Sequence, residues 1–169
     1  MDFKGKKAVF LGDSITEGAG TSGTDKIYVS LLKSMLGLSE IVNYGISGTR
    51  IARQQTPSEV MRHDLDFVSR VDDMDDDADL VVVFGGTNDY GHGDAAIGEM
   101  SDRTTDTFCG ACHVLMEKLI EKYPYAQIIV MTPLHRTNED NLYGDGSKAK
   151  PSAPLCEYVD IIKKTAAYY

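Results

Sequence analysis

Four apolar runs, each nearly continuous, recur along the chain with helical patterns between them. They are Lys7–Leu11, Glu40–Tyr44, Asp79–Phe84 and Gln127–Thr132. A continuous apolar run is typical of a strand covered on both faces, whereas a strand with one wet face alternates apolar and polar residues. Strands that alternate with helices form βαβ units, whose right-handed crossovers give a parallel sheet. The pattern therefore predicts an α/β fold with a parallel sheet, in a single domain over residues 1–169.

Apolar residues at helical spacing mark the segments between and after these runs. One stripe consists of Ile27, Leu31, Leu32 and Met35, a second of Phe108, Ala111, Cys112, Leu115 and Leu119, and a third of Leu155, Val159, Ile162 and Ala166. Val60–Val71 gives a weaker helical pattern because its apolar positions are sparse. The third stripe predicts a helix over Leu155–Tyr168, and no strand follows it. We therefore expect the last strand of the sheet to be missing from this chain.

Composition narrows the class of protein. Hydrophobic residues make up 42% of the chain and charged residues 25%, as in ordinary globular proteins. A net charge of −9 and a pI near 4.8 argue against a nucleic-acid partner, which rewards basic surfaces. No apolar stretch approaches the roughly 20 residues of a membrane span, and the first strand leaves no room for a signal peptide. Three cysteines suggest no disulfide framework, so the cytoplasm is the expected location.

Polar, glycine-rich loops follow three successive runs of the predicted sheet. They read Gly12-Asp13-Ser14, then "NYGISG" ending at Gly48, then "GGTND" with Asn88 as its amide residue. Because parallel strands end at one edge of the sheet, these loops can converge there. Acyl transfer requires a nucleophile and hydrogen-bond donors aimed at the developing oxyanion. Ser14 is the candidate nucleophile, while its own N–H, the Gly48 N–H and the Asn88 side-chain amide are candidate donors.

The same three loops resemble the sequence blocks of the SGNH hydrolases, also called GDSL esterases or lipases. "GDSITEG" is similar to the nucleophile block, "NYGISG" to the glycine block and "GGTND" to the asparagine block, in the family's order. "MTPLHR" near Thr132 also resembles family members at that place. The resemblance implies Ser14 as nucleophile, with Ser14, Gly48 and Asn88 as the oxyanion hole. It also implies a three-layer α/β/α sandwich with a flavodoxin-like sheet.

One block of the family is absent from this sequence. An Asp-x-x-His near the C-terminus supplies the acid–base chemistry in the family, and none of the four histidines has an aspartate three residues before it. The missing block and the missing strand together predict a chain that stops early and has little or no turnover. His135 follows the fourth run and is the one histidine predicted to substitute as base. His92 is interpreted as a surface-loop residue, and His63 and His113 as helical residues.

Two further clusters are interpreted as structural. Cys109 and Cys112 lie on an apolar helical stripe without a second ligand pair, which favours core thiols over a redox or zinc site. The acidic run Asp72–Asp79 lacks the glycine and terminal glutamate of a calcium loop, so we interpret it as a solvated loop. Asp13 is expected to form structural hydrogen bonds beside Ser14. No metal and no cofactor are predicted.

These observations favour a serine esterase that hydrolyses a small acyl ester. Two other hypotheses stay open at this point: an inactive relative that binds esters or glycans, and a flavodoxin-like module that holds a phosphate in its first loop. "GTSGT" at residues 20–24 gives the phosphate hypothesis slight support. The expected partner is a small-molecule ester, with no nucleic acid and no membrane. If the last strand is missing, Gln127–Thr132 becomes an apolar sheet edge, through which we expect self-association.

Overall fold

The computed structural model describes residues 2–169. Its core is a four-stranded, fully parallel sheet with the strand order β2-β1-β3-β4. The strands are β1 (Lys7–Gly12), β2 (Glu40–Gly45), β3 (Leu80–Phe84) and β4 (Gln127–Met131). The four runs predicted from the sequence are therefore confirmed as strands, to within one residue at most ends.

Six helices connect and cover the strands. They are α1 (Ser14–Glu17), α2 (Tyr28–Leu36), α3 (Phe67–Arg70), α4 (Thr87–Gly91), α5 (Phe108–Lys122) and α6 (Leu155–Tyr168). The core residues of α2 pack on one face of the sheet, whereas those of α3, α5 and α6 pack on the other. This is the predicted three-layer α/β/α arrangement.

Strand β1 lies at the centre of the molecule and divides the two hydrophobic cores. Ala8 and Phe10 belong to the core on the α2 face, and Val9 and Leu11 belong to the opposite core. All four side chains are fully buried. Because side chains alternate along a strand, a continuous apolar run is what two covered faces require. Gly12 pairs with both neighbouring strands, so the polar loops that follow begin at the same level.

The segment 60–73 differs from the weak helical pattern predicted for it. It forms a 3₁₀ turn at Met61–Asp64, the short helix α3 and a second 3₁₀ turn at Val71–Asp73. The side chain of Asp66 accepts the Ser69 N–H and starts a new helix there, so the first turn cannot continue. His63, predicted to be helical, lies in the first of these pieces, a 3₁₀ helix rather than an α-helix.

Strand β4 is an edge of the sheet. It pairs with β3 on one side and with no strand on the other among residues 2–169. Ile129 on this strand remains 40% exposed. The sequence predicted this edge position, and self-association through it stays a prediction.

Two of the three cysteines lie on helix α5. Cys109 and Cys112 are free thiols, both buried on the face that packs against the sheet. Burial raises the pKa of both thiols above the ordinary value, which keeps them protonated at neutral pH. This confirms their interpretation as core residues.

Across residues 2–169, no helix is both long enough and apolar enough to cross a membrane.

Candidate active site

Ser14 is the first residue of the short helix α1, directly after β1. Asp13 caps that helix: its carboxylate accepts the Ile15 N–H at 3.0 Å, as expected for a structural aspartate. The helix packs very close to the strand end, since a Cβ added to Gly12 would lie 1.9 Å from the Thr16 hydroxyl. The glycine before Asp13-Ser14 is therefore required by packing, and it places the half-buried Ser14 at the carboxyl edge of the sheet.

The loop after β2, residues 46–53, is called the glycine loop. Glu17 of α1 holds its start, because the Glu17 carboxylate accepts the Ser47 N–H at 2.7 Å. Gly48 adopts φ +76°, a left-handed conformation that favours glycine. A Cβ at this position would also lie 2.8 Å from the His63 ring. Gly48 is thus fixed both by its conformation and by the histidine packed over it.

The turn after β3, residues 85–93, is called the asparagine turn, and it is bonded directly to the glycine loop. The buried side-chain amide of Asn88 donates to the Thr49 carbonyl at 2.8 Å. The carboxylate of Asp89 accepts the N–H groups of Ile51 at 3.0 Å and Ala52 at 2.9 Å. Three side-chain hydrogen bonds therefore lock the Asn88 and Gly48 segments together at one edge of the sheet.

The buried guanidinium of Arg70 forms hydrogen bonds with several segments at the carboxyl edge of the sheet. Arg70 is 5% exposed and donates to the carbonyls of Gly12, Tyr44 and Leu65 at 3.2, 2.5 and 3.0 Å. It also donates to the Thr49 hydroxyl at 3.0 Å. Burial lowers the pKa of Arg70 to about 10, which leaves it charged at neutral pH. Sequence analysis missed this residue, because nothing in its local pattern shows that it spans the ends of β1 and β2.

Two buried carboxyl groups, those of Asp13 and Asp89, lie at the same carboxyl edge as Arg70. Burial raises the pKa of Asp13 to about 6, an effect that Asp89 reinforces and Arg70 opposes. Burial likewise raises the pKa of Asp89 to about 6, against the two N–H groups that it accepts. One oxygen of Asp13 has no hydrogen-bond partner among the described residues. Strongly shifted groups gather at functional sites, and both of these lie beside the proposed site residues.

The loop between β4 and α6, residues 132–154, lies against the asparagine turn. The Asp145 N–H donates to the Gly91 carbonyl at 2.9 Å, and Lys148 donates to the Gly93 carbonyl at 2.6 Å. The Asp145 carboxylate then lies 3.3 Å from Nδ1 of His92. Sequence analysis placed His92 in a surface loop and missed this pair, since 53 residues separate its members.

His135, the histidine predicted to substitute as base, lies elsewhere. Its side chain is 99% exposed and contacts the Glu139 carboxylate at 2.9 Å. The two residues line a cavity of about 330 Å³ beside α6. Ser14, Gly48 and Asn88 do not line that cavity.

Comparison with known proteins identifies the family of the chain. Residues 10–168 match the GDSL-like Lipase/Acylhydrolase family. The chain belongs to this family. A search of curated proteins found no relative with significant similarity to this GDSL-like hydrolase.

Solved structures extend the likeness to the whole fold. A crystal structure from Lactobacillus plantarum is 26% identical to this GDSL-like hydrolase with a TM-score of 0.78, and the match covers 100% of this chain and 74% of that one. A possible lipase from Chitinophaga pinensis is 23% identical with a TM-score of 0.66, over 96% and 64% of the two chains. An acetyl xylan esterase from Geobacillus stearothermophilus is 22% identical with a TM-score of 0.56, over 99% and 74%. The last two show the shared fold alone.

Proposed function

We propose that this GDSL-like hydrolase is a serine esterase that acts on small acyl esters. Ser14 is the nucleophile, and the N–H groups of Ser14 and Gly48 form the oxyanion hole with the Asn88 side-chain amide. The observation that carries the proposal is the hydrogen bond from Asn88 to the Thr49 carbonyl, one residue after Gly48. It ties two of the three donor segments into one unit at the carboxyl edge, where Ser14 begins α1.

The chemistry of the amide supports a role beyond this structural bond. A carboxamide nitrogen carries two hydrogens, and the bond to Thr49 uses one of them. The second hydrogen can donate to a ligand oxygen without breaking the contact between the loops. Preorganised donors of this kind stabilise the charge that develops on a carbonyl oxygen during acyl transfer.

The reaction proceeds through two acyl transfers. The Ser14 Oγ bonds to the ester carbonyl carbon while its proton passes to a base, and the carbonyl electron pair moves onto the oxygen held by the three donors. The carbon–alkoxide bond then breaks, and the alcohol leaves with that proton. Water attacks the acyl-Ser14 in the same way, releasing the acid and restoring the hydroxyl.

Two measurements test the proposal on a chain completed with the family's Asp-x-x-His block. A fluorophosphonate probe should label Ser14, as located by mass spectrometry, and p-nitrophenyl acetate should be hydrolysed at that same residue. We expect Ser14→Ala to abolish both. Asn88→Ala should lower kcat by roughly 10²- to 10³-fold, the usual effect of removing one oxyanion donor. Ser101→Ala, at an exposed serine outside the three loops, is the matched control and should behave as wild type.

The outcomes separate the competing functions. An unlabelled Ser14 in a folded, non-hydrolytic protein supports the inactive ester- or glycan-binding relative instead. An Asn88→Ala enzyme with an unchanged kcat and a raised KM would show that Asn88 only binds substrate. Thermal melts of each variant establish that a lost signal reflects chemistry rather than unfolding.

A further inference from the structure

Glu17 lies on the helix that begins at Ser14, and strand β2 holds that part of the helix in place. The side-chain amide of Asn43 donates to the Thr16 carbonyl at 2.7 Å. The end of β2 packs against the same turn, since a Cβ added to Gly45 would lie 2.1 Å from the Glu17 nitrogen. The Glu17 backbone therefore has a fixed position relative to both β2 and the proposed nucleophile.

The Glu17 carboxylate holds the residue directly before Gly48. One of its oxygens accepts the Ser47 N–H at 2.7 Å and also the Ser47 hydroxyl. The other oxygen accepts a hydrogen bond from the Arg62 guanidinium. Partial burial acts to raise the pKa of Glu17, but the hydrogen bonds from Ser47 and Arg62 outweigh it and keep the pKa below its ordinary value. Glu17 is therefore an ionised acceptor at neutral pH.

The direction of the Gly48 N–H depends on its neighbours, because glycine has no side chain that could anchor it. This N–H belongs to the planar peptide group that joins Ser47 to Gly48, so its direction follows the backbone on both sides. Glu17 fixes Ser47 on one side. On the other side the Asn88 amide holds the Thr49 carbonyl at 2.8 Å. The Gly48 N–H thus lies between two side-chain anchors, one of which belongs to α1.

The same carboxylate also anchors the turn that covers Gly48. Arg62 and His63 are neighbours in the 3₁₀ turn Met61–Asp64, and the His63 ring lies 2.8 Å from the position that a Cβ on Gly48 would occupy. Through its bond with Arg62, Glu17 therefore ties this turn to α1 as well.

We propose that Glu17 is a positioning residue, which aligns the Gly48 N–H with the Ser14 hydroxyl for stabilisation of the oxyanion. This rests on the esterase function proposed above and adds to it a residue that acts through Gly48. Oxyanion donors lower the barrier only when they are aimed at the place where charge develops, and a misplacement of about 1 Å can cost about 10²-fold in rate. Because Ser14 and Glu17 are the first and last residues of α1, one short helix supports both the nucleophile and the donor.

Asp64 offers a matched control in the neighbouring turn. Its carboxylate accepts the Ser58 N–H at 2.8 Å and the Ser58 hydroxyl, and it lies 3.7 Å from the Arg50 guanidinium. The Asp64 side chain is 27% exposed, against 31% for Glu17. The two acidic residues thus make the same kinds of contact, but neither partner of Asp64 is adjacent to Gly48 in the chain.

The test measures kcat and KM for p-nitrophenyl acetate in the chain completed with the family's Asp-x-x-His block. Active sites are counted by labelling Ser14 to completion with the fluorophosphonate probe, so that partial unfolding of a variant does not mimic a loss of rate. We expect Glu17→Gln, which keeps the size of the side chain, to lower kcat per labelled site by about 10-fold. Glu17→Ala should lower it by up to about 10²-fold. KM should change little in either variant, and Asp64→Asn should keep the kcat of the wild type.

Inhibition by a short alkyl boronic acid gives a second readout. The boron bonds to the Ser14 Oγ as a tetrahedral anion, so the inhibition constant depends on the oxyanion donors as the transition state does. In the Glu17 variants we expect this constant to rise by about the same factor as kcat/KM falls. A purely structural role of Glu17 would leave it unchanged once active sites are counted.

The outcomes are distinct. An unchanged kcat per labelled site in both Glu17 variants overturns the positioning role and leaves the esterase function intact. An equal loss in Asp64→Asn also overturns it, because a general loosening of the loops would then explain the result. A rise in KM alone assigns Glu17 to substrate binding and contradicts the proposal as well. If Ser14 is not labelled even in the wild type, the proposed function fails and the role of Glu17 falls with it.

Discussion

The two ends of the parallel sheet both carry aspartates, in opposite environments. At the carboxyl end Asp13 and Asp89 are 1% and 4% exposed, and burial raises the pKa of each to about 6. At the amino end the side chains of Asp75 and Asp79 are each 41% exposed, and hydrogen bonds from Lys7 and Lys6 lower their pKa values. The pKa of the same residue type is therefore raised at one end of the strands and lowered at the other.

The comparison shows that the carboxylates whose burial is unfavourable lie at the carboxyl end of the sheet. A buried carboxylate is unstable unless cations and N–H groups compensate it, as Arg70 and the glycine loop do at the carboxyl end. An exposed carboxylate is already stabilised by water, so its lysine adds little. The buried charges at the carboxyl end lie beside Ser14, the proposed nucleophile, whereas the aspartates of the amino end remain partly exposed to water.

The largest effect should come from Arg70→Met. The change removes the donor to three carbonyls and the cation beside Asp13. We expect urea denaturation to show a loss of about 3–5 kcal/mol in the free energy of unfolding, as when one member of a buried charged pair is removed. Lys7→Met at the amino end is the matched control and should lose much less. Equal losses in the two variants would contradict the contrast between the ends.

The pH dependence of stability should change next most, in Asp13→Asn. The folded-state pKa of Asp13 is about 6, above the ordinary value of 3.8, so the folded chain holds this proton to higher pH than the unfolded chain. Stability therefore falls as the pH rises from about 4 to 6, by an amount on the order of 2–3 kcal/mol. Asparagine keeps the helix cap and removes the ionisation. The variant should show a flatter pH profile in urea titrations between pH 4 and 7.

A profile in Asp13→Asn as steep as that of the wild type would mean that Asp89 alone carries the buried charge. Asp89→Asn then serves as the second variant, with its slope compared rather than its absolute stability. Its carboxylate accepts two N–H groups that an amide cannot match, so the absolute stability of that variant also falls.

The sequence predicted the parts of this molecule that follow from local periodicity. The strands and the helices α2, α5 and α6 were predicted because a buried face repeats along each of them. The weak helical pattern over 60–71 forms short helical pieces rather than one helix, because the cap formed by Asp66 interrupts it. The pair of His92 and Asp145 was missed, since its geometry depends on Gly144 packing against Gly91 rather than on any neighbouring residue.

In the three site loops, too, some features were predictable from the local sequence and others were not. Glycine and polar residues after the strands predicted that Ser14, Gly48 and Asn88 lie at one edge, because strand ends in a parallel sheet share a level. The bond from Asn88 to Thr49 was beyond prediction because it spans 39 residues. The role of the buried Arg70 was beyond prediction because its bonds to Gly12 and Thr49 span 58 and 21 residues. Loop position is encoded locally, whereas the orientation of side chains within the site is encoded by long-range packing.

The smallest effect should come from Asp79→Asn at the amino end. The Asp79 carboxylate accepts hydrogen bonds from Lys6 Nζ at 2.8 Å and from the Lys7 N–H at 3.0 Å. These bonds hold the folded-state pKa of Asp79 below its ordinary value. A lowered pKa contributes stability above the unfolded-state pKa, and that stability is lost as the pH falls, the reverse of Asp13. Thermal melts should show a slight loss for Asp79→Asn at pH 7. The loss should disappear once the pH falls below the lowered folded-state pKa, where the carboxyl group is protonated in both the folded and the unfolded chain. Salt at 1 M should also shrink the loss, because screening weakens exposed ion pairs. A loss that resists salt would assign the contribution to the Lys7 N–H bond and make the amino end more like the buried end than the exposure of its side chains implies.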